Sequence, residues 1–278
     1  MIRKALGEFP EDPDLLVELS RAQVSLNLTD DAIGSASEAL KLQPQSLSAN
    51  LAFAEALASA HQYERMLGLL HRVQPQFETR AELHYLLGIA NFGIGNRTAA
   101  IQAFSQAVEL DPRFDLSHFL LGTTYLVTGD FPRAEQHYKT AIALNSKNSL
   151  YYSYLMRVYR ATGFQEGALE TARKALALNP ADVDSRLELT KWEISQEHLA
   201  QARTLLEDLV ADAPDWIPAR VLLAGSISSS ICPSWQTSKP QSSAPCNRDS
   251  GADERCPSGK PEEPLDIGPA LGYISIIV

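Results

Sequence analysis

The sequence predicts an all-α protein: a solenoid of about six helix–turn–helix repeats, with a disordered C-terminal tail. Three observations predict it. Pro10, Pro44, Pro112, Pro180 and Pro214 stand at multiples of 34 residues from one another. Small residues recur at two fixed places within that period. Turn-forming glycines recur between those places, in Gly95-Asn96, Gly129-Asp130 and Gly163. A fixed period of this length is the signature of a stacked repeat, in which one hairpin cannot bury its apolar face alone.

With Pro44 as position 32, six copies follow: 13–46, 47–80, 81–114, 115–148, 149–182 and 183–216. Position 8 reads Ser20, Ala54, Gly88, Gly122, Met156 and Thr190, and position 20 reads Ala32, Met66, Ala100, Ala134, Ala168 and Ala202. Mostly small residues at both places let the two helices of a hairpin approach closely. Apolar residues at positions 7, 24 and 27 form the inward stripe of each helix. The glycines suit a left-handed turn between the helices. Proline at position 32 ends the second helix, because it cannot continue the hydrogen-bond ladder.

The series Leu87-Gly88, Ala100, Phe104, Ala107, Pro112, and the parallel Leu121-Gly122, Tyr125, Ala134, Tyr138, Ala141, resemble the tetratricopeptide repeat family over about residues 13–216. The resemblance implies a right-handed superhelix whose first helices line a concave groove. It also implies a role in protein–protein interaction. Repeat 2 departs most from the pattern. Met66 replaces the small residue and Pro75 arrives three residues early, so its second helix is expected to end early, with a longer loop before repeat 3. In repeat 6, Glu197 stands where a turn glycine is usual.

Both ends depart from the repeat. Residues 1–12 read as the tail of a second helix from a preceding repeat, with Ile2, Leu6 and Phe9 at helical spacing. Residues 217–224 begin a seventh first helix. Residues 225–278 are rich in Ser, Pro and Gly and hold Cys232, Cys246 and Cys256. By composition this is a disordered, low-complexity tail. A second reading is a frameshift: codons exist that turn Gly225 to Lys239, read one base out of frame, into a helical continuation.

Composition narrows the function. A net charge of −10 and a pI of about 5.1 argue against nucleic acid, which a basic patch would have to meet, and against an anionic membrane surface. No stretch approaches the roughly 18 apolar residues of a membrane span. The cysteine spacing fits no metal pattern, and His61, His71, His137 and His198 show no zinc-ligand spacing. His84 and His118 both occupy position 4 of successive repeats, whose helices stack about 8–10 Å apart, a long reach for one shared metal ion, so both are expected to be packing or surface side chains. Gly93-x-Gly95-x-x-Thr98 follows a helix rather than a strand, which rules out a dinucleotide loop. No catalytic constellation, cofactor or metal is expected, and a cytoplasmic location is favoured.

The groove that the resemblance implies carries the most functional content. Its centre is apolar and aromatic, with Tyr85, Ile89, Phe92, Phe119 and Leu126. Beside it stand Tyr154, Arg157, Arg160 and Lys191. This set suits an extended or helical protein segment with an apolar anchor and an acidic end. The expected role is that of a scaffold or adaptor. The alternative is the substrate-recruiting arm of a larger enzyme, and a third reading is self-association through uncapped, apolar ends.

Overall fold

The computed structural model describes residues 11–212, as twelve α-helices among those residues. Six are first helices of a hairpin: α1 (Pro13–Ser25), α3 (Leu47–Ser59), α5 (Ala81–Gly93), α7 (Asp115–Val127), α9 (Ser149–Ala161) and α11 (Val183–Ser195). Six are second helices: α2 (Thr29–Leu42), α4 (Tyr63–Phe77), α6 (Arg97–Leu110), α8 (Phe131–Leu144), α10 (Gln165–Leu178) and α12 (Leu199–Asp212). The residues read as a partial preceding helix, as a seventh first helix and as the tail lie outside the described residues, apart from Glu11 and Asp12. Asp12 caps α1: its Oδ1 accepts from Asp14 N at 3.0 Å and Leu15 N at 3.2 Å.

One turn joins the two helices in all six hairpins. Position 15 is left-handed every time: Asn27, His61, Gly95, Gly129, Gly163 and Glu197, with φ between 56° and 87°. The residue after it donates its N–H to a carbonyl five residues back, as in Asn96 N to Asn91 O and Asp130 N to Tyr125 O, both 2.9 Å. The left-handed residue donates three residues back, as in Gly95 N to Phe92 O at 3.1 Å. This double closure satisfies carbonyls that the end of the first helix would otherwise leave bare. Three of the six positions take the left-handed shape without glycine, at a cost of about 1–2 kcal/mol each.

Close approach between the helices is concentrated at positions 8, 20 and 24. A methyl group built on Gly88 would lie inside the Phe104 ring, and one on Gly122 would meet Tyr138 at 3.0 Å and the Ala134 carbonyl at 3.3 Å. In repeat 1 the same place is held by a hydrogen bond, Ser20 Oγ donating to Ala32 O at 2.9 Å. Ala32, Met66, Ala100 and Ala134 are fully buried.

Successive hairpins are joined by a device that the periodicity alone did not announce. Position 4 of a repeat donates to the backbone carbonyl at position 32 of the repeat before it, five times over and with four kinds of donor. Asn50 Nδ2 reaches Pro44 O at 3.0 Å, His84 Nε2 reaches Glu78 O at 2.6 Å and His118 Nε2 reaches Pro112 O at 3.2 Å. Tyr152 OH reaches Ser146 O at 3.3 Å and Arg186 Nε reaches Pro180 O at 2.7 Å. A carbonyl in the short linker is satisfied, and the next helix is tied to it.

The described residues divide into two compact units that part between Thr171 and Ala172, within α10. In the first unit α1 packs on α2 and α3, α3 on α4 and α5, α5 on α6, α6 on α7, and α7 on α8 and α9. This stacking of hairpin on hairpin is that of an all-α solenoid. In the second unit α11 packs on α12, with Leu206 and Leu209 against Val183 and Val210.

The expectation for repeat 2 is overturned. α4 runs for 15 residues with Pro75 inside it, against 14 for α6, and only residues 78–80 separate it from α5. Proline's fixed φ suits a helix, and near the end of one it deletes a single hydrogen bond. The effective stop is proline at position 32, which drives the residue before it out of the helical region. Gln43 and Asp111, before Pro44 and Pro112, have φ of −133° and −135°. Glu78 occupies position 32 in repeat 2 and stays helical, with φ −57° and ψ −27°. Repeat 4 has Ser146 there, and Asn145 is extended for another reason: its side chain accepts from Lys147 N and donates to Asp115 Oδ2.

Two substitutions follow from this geometry. Gly88→Ala forces a methyl group against the buried Phe104 ring and is expected to lower stability by about 1–3 kcal/mol in chemical denaturation. Glu197→Gly relieves a left-handed non-glycine residue and is expected to raise stability by about 1 kcal/mol in the same measurement, with helicity unchanged.

Candidate functional site

The first helices of the middle repeats are buried almost all round: Leu83 to Phe92 in α5, and Ser117 to Leu126 in α7. The apolar residues expected to floor a groove are therefore part of the packing. Tyr85, Ile89, Phe92, Phe119, Leu126 and Tyr154 are each between 1% and 6% exposed. Tyr85 lies against Phe114 and Phe104, with ring centroids 4.9 and 6.2 Å away. Phe119 sits among Tyr151, Tyr154 and Tyr138 at 5.1, 5.0 and 5.8 Å. Desolvation first, then the carboxylates of Glu55 and Asp115, pushes the Tyr85 phenol up, so it stays a neutral packing group. The Arg97 guanidinium covers the Phe92 ring at 3.9 Å.

The basic residues behave differently. Arg157 on α9 is half-buried, with its guanidinium 4.6 Å over the Tyr154 ring, and Arg160 one turn later is exposed. Lys191, on α11 of the second unit, is also exposed. At the other end of the first unit, Arg21 Nε meets Glu55 Oε2 at 3.3 Å, joining position 9 of repeats 1 and 2. Burial holds the Glu55 carboxyl above its ordinary range, with Arg21 opposing the shift.

The structure also brings together two histidines that sequence spacing kept apart. His118 Nδ1 on α7 stands 3.2 Å from His137 Nδ1 on α8, and the His137 ring stacks on Tyr125 at 5.7 Å and 17°. Arg133 lies 4.9 Å over the other partner of that stack, Tyr125, and pairs with Asp130 at 2.8 Å. The two histidines are 19 residues apart and occur together in one repeat alone, so no column of the repeat marks them. Among the described residues no group of three or more His, Cys, Asp or Glu is disposed to hold a metal ion, and no helix is long and apolar enough to cross a membrane.

Burial, then the neighbouring His118 and Arg133, lowers the His137 pKa from 6.5 to about 4. The unfolded chain therefore binds this proton more readily than the folded one. The stability that this provides is complete above pH 6.5 and is lost as pH falls toward 4. The ring is partly open to solvent, which screens the effect. In buffer containing a chelator, unfolding at pH 5 is expected to need about 1 kcal/mol less from this group than at pH 7.5. The His137→Gln chain should lack that part of the slope in denaturant titrations at the two pH values.

Comparison with known proteins agrees with this geometry. A tetratricopeptide repeat family model matches residues 85–149 and 119–183. No curated protein matches the sequence. Among solved structures, a chain of the APC/C hetero-tetramer Cut9–Hcn1 is similar with a TM-score of 0.70 at 18% identity, over 81% of this chain and 45% of that one. This chain thus spans less than half the length of that relative. The pilF protein of Pseudomonas aeruginosa is similar with a TM-score of 0.67 at 15% identity, over 77% and 97% of the two chains. A thermophilic tetratricopeptide protein of Thermus thermophilus gives 0.56 at 23% identity, over 63% and 96%. At these identities the likeness is one of fold. Residues 85–183 thus match the tetratricopeptide repeat family, and the same helix–turn–helix hairpin recurs every 34 residues among the described residues.

Proposed function

We propose that this chain is a protein-interaction scaffold that holds a partner segment along the first-helix side of its first unit, with Arg157 and Arg160 receiving an acidic end of that segment. Tetratricopeptide repeats generally mediate protein–protein interaction, and the observation that carries the finer reading is on α9. Arg157 is held over the Tyr154 ring, and Arg160 lies exposed one turn along the same helix. A guanidinium stacked on an aromatic ring is pre-oriented, and its planar fork of donors matches a carboxylate. The buried Tyr85, Ile89, Phe92, Phe119, Leu126 and Tyr154 give this face its shape, and an apolar anchor would seat at their margins. Lys191 offers a further cation on the second unit.

The experiment is affinity capture with the full chain and with the Arg157→Glu/Arg160→Glu chain, with bound proteins quantified and helicity checked by circular dichroism. Losing two charge-assisted contacts is expected to weaken retention of specific partners about tenfold or more. An unchanged set of bound proteins at unchanged helicity would sink this reading.

A further inference from the structure

The His118–His137 pair has a use beyond packing. The Pro112 carbonyl can only accept, so His118 Nε2, at 3.2 Å from it, carries the ring proton. The lone pair of His118 is therefore on Nδ1, which faces His137 Nδ1 across 3.2 Å. A ring nitrogen aimed by an outer hydrogen bond to a backbone carbonyl is how a metal-binding histidine is usually held. The spacing fits as well. Two imidazole nitrogens bound at about 2.0–2.1 Å to one tetrahedral ion stand roughly 3.3 Å apart.

We propose that His118 and His137 form a two-histidine site for a first-row transition cation of the zinc, nickel or copper class, clipping α7 to α8 within repeat 4. Without the ion, His137 Nδ1–H donates to His118 Nδ1. On binding, that proton moves to His137 Nε2, both rings stay neutral, and both Nδ1 lone pairs turn to the ion. Water fills the other positions, because among the described residues no third His, Cys, Asp or Glu completes the set. The Asp115 carboxylate, one turn before His118, accepts from Asn145 at 3.0 Å and Tyr151 at 2.9 Å, and contributes favourable charge at a distance. Arg133 opposes the cation, with its charge offset by Asp130 at 2.8 Å. His84 makes the same carbonyl contact in repeat 3, but Ala103 stands at the position that His137 holds in repeat 4, so that repeat lacks a second ring.

The test is calorimetric titration of Zn²⁺ into the full chain with Cys232, Cys246 and Cys256 changed to Ser, which keeps thiolates out of the result. One ion per chain is expected, with Mg²⁺ unable to compete, since imidazole suits the softer cations. His118→Asn is the main variant. It keeps a donor for the Pro112 carbonyl, as Asn50 does in repeat 2, and removes the facing nitrogen. It should weaken Zn²⁺ binding about tenfold or more, as should His137→Gln, while exposed His71→Gln leaves it unchanged. No Zn²⁺ binding in the cysteine-free chain, or equal binding by the folded His118→Asn chain, overturns the proposal.

Discussion

One hydrogen bond per junction governs how each hairpin meets the one before it. The linker between hairpins is only three or four residues long, and its position-32 carbonyl lies outside the helix ladder. A side chain six residues on, in the first turn of the next helix, closes the gap. An unpaired carbonyl in a packed junction would cost about 1–3 kcal/mol. The demand is for a donor of the right reach, so amide, imidazole, phenol and guanidinium all serve. This is why the column varies in the sequence, as Asn50, His84, His118, Tyr152 and Arg186, while every member carries a side-chain donor.

The hairpins themselves depend on shape. Positions 8 and 20 must be small where position 24 is a ring, as with Gly88 against Phe104 and Gly122 against Tyr138. The same economy of space explains the middle of the array. Aromatic side chains from first helices fill the interior between repeats, as Tyr85 does against Phe114 and Phe119 against Tyr151.

Much of the fold was legible because it is written six times. The period, the helix pairs and the small-residue columns each rest on several copies. Features written once were harder to read. Pro75 looked like a terminator, although a proline near a helix end costs one hydrogen bond, while the stronger stop acts through the residue before position 32. Glu197 was visible as an odd turn residue, but Asn27 and His61 adopt the same left-handed shape and passed unmarked, because local hydrogen bonding overrides the preference for glycine. Within the candidate site, the burial of the residues expected to line the groove was not legible. A first helix packed on several sides buries positions that a groove diagram would leave open, as with Ile89 at 1% exposure. The pairing of His118 with His137 depends on the pitch of one hairpin and has no sequence period to reveal it.

The contacts between repeats stay close to home along the chain. Arg21 to Glu55 spans 34 residues, Tyr151 to Asp115 spans 36 and Asn145 to Asp115 spans 30. No junction described in the first unit waits for a distant part of the polypeptide to arrive. Chain closure entropy is therefore small at every step, and a low contact order of this kind goes with folding in microseconds to milliseconds. Such a molecule can begin to fold as it leaves the ribosome, one hairpin docking on the last. Pulled from its ends, it would give way in increments of a hairpin rather than all at once.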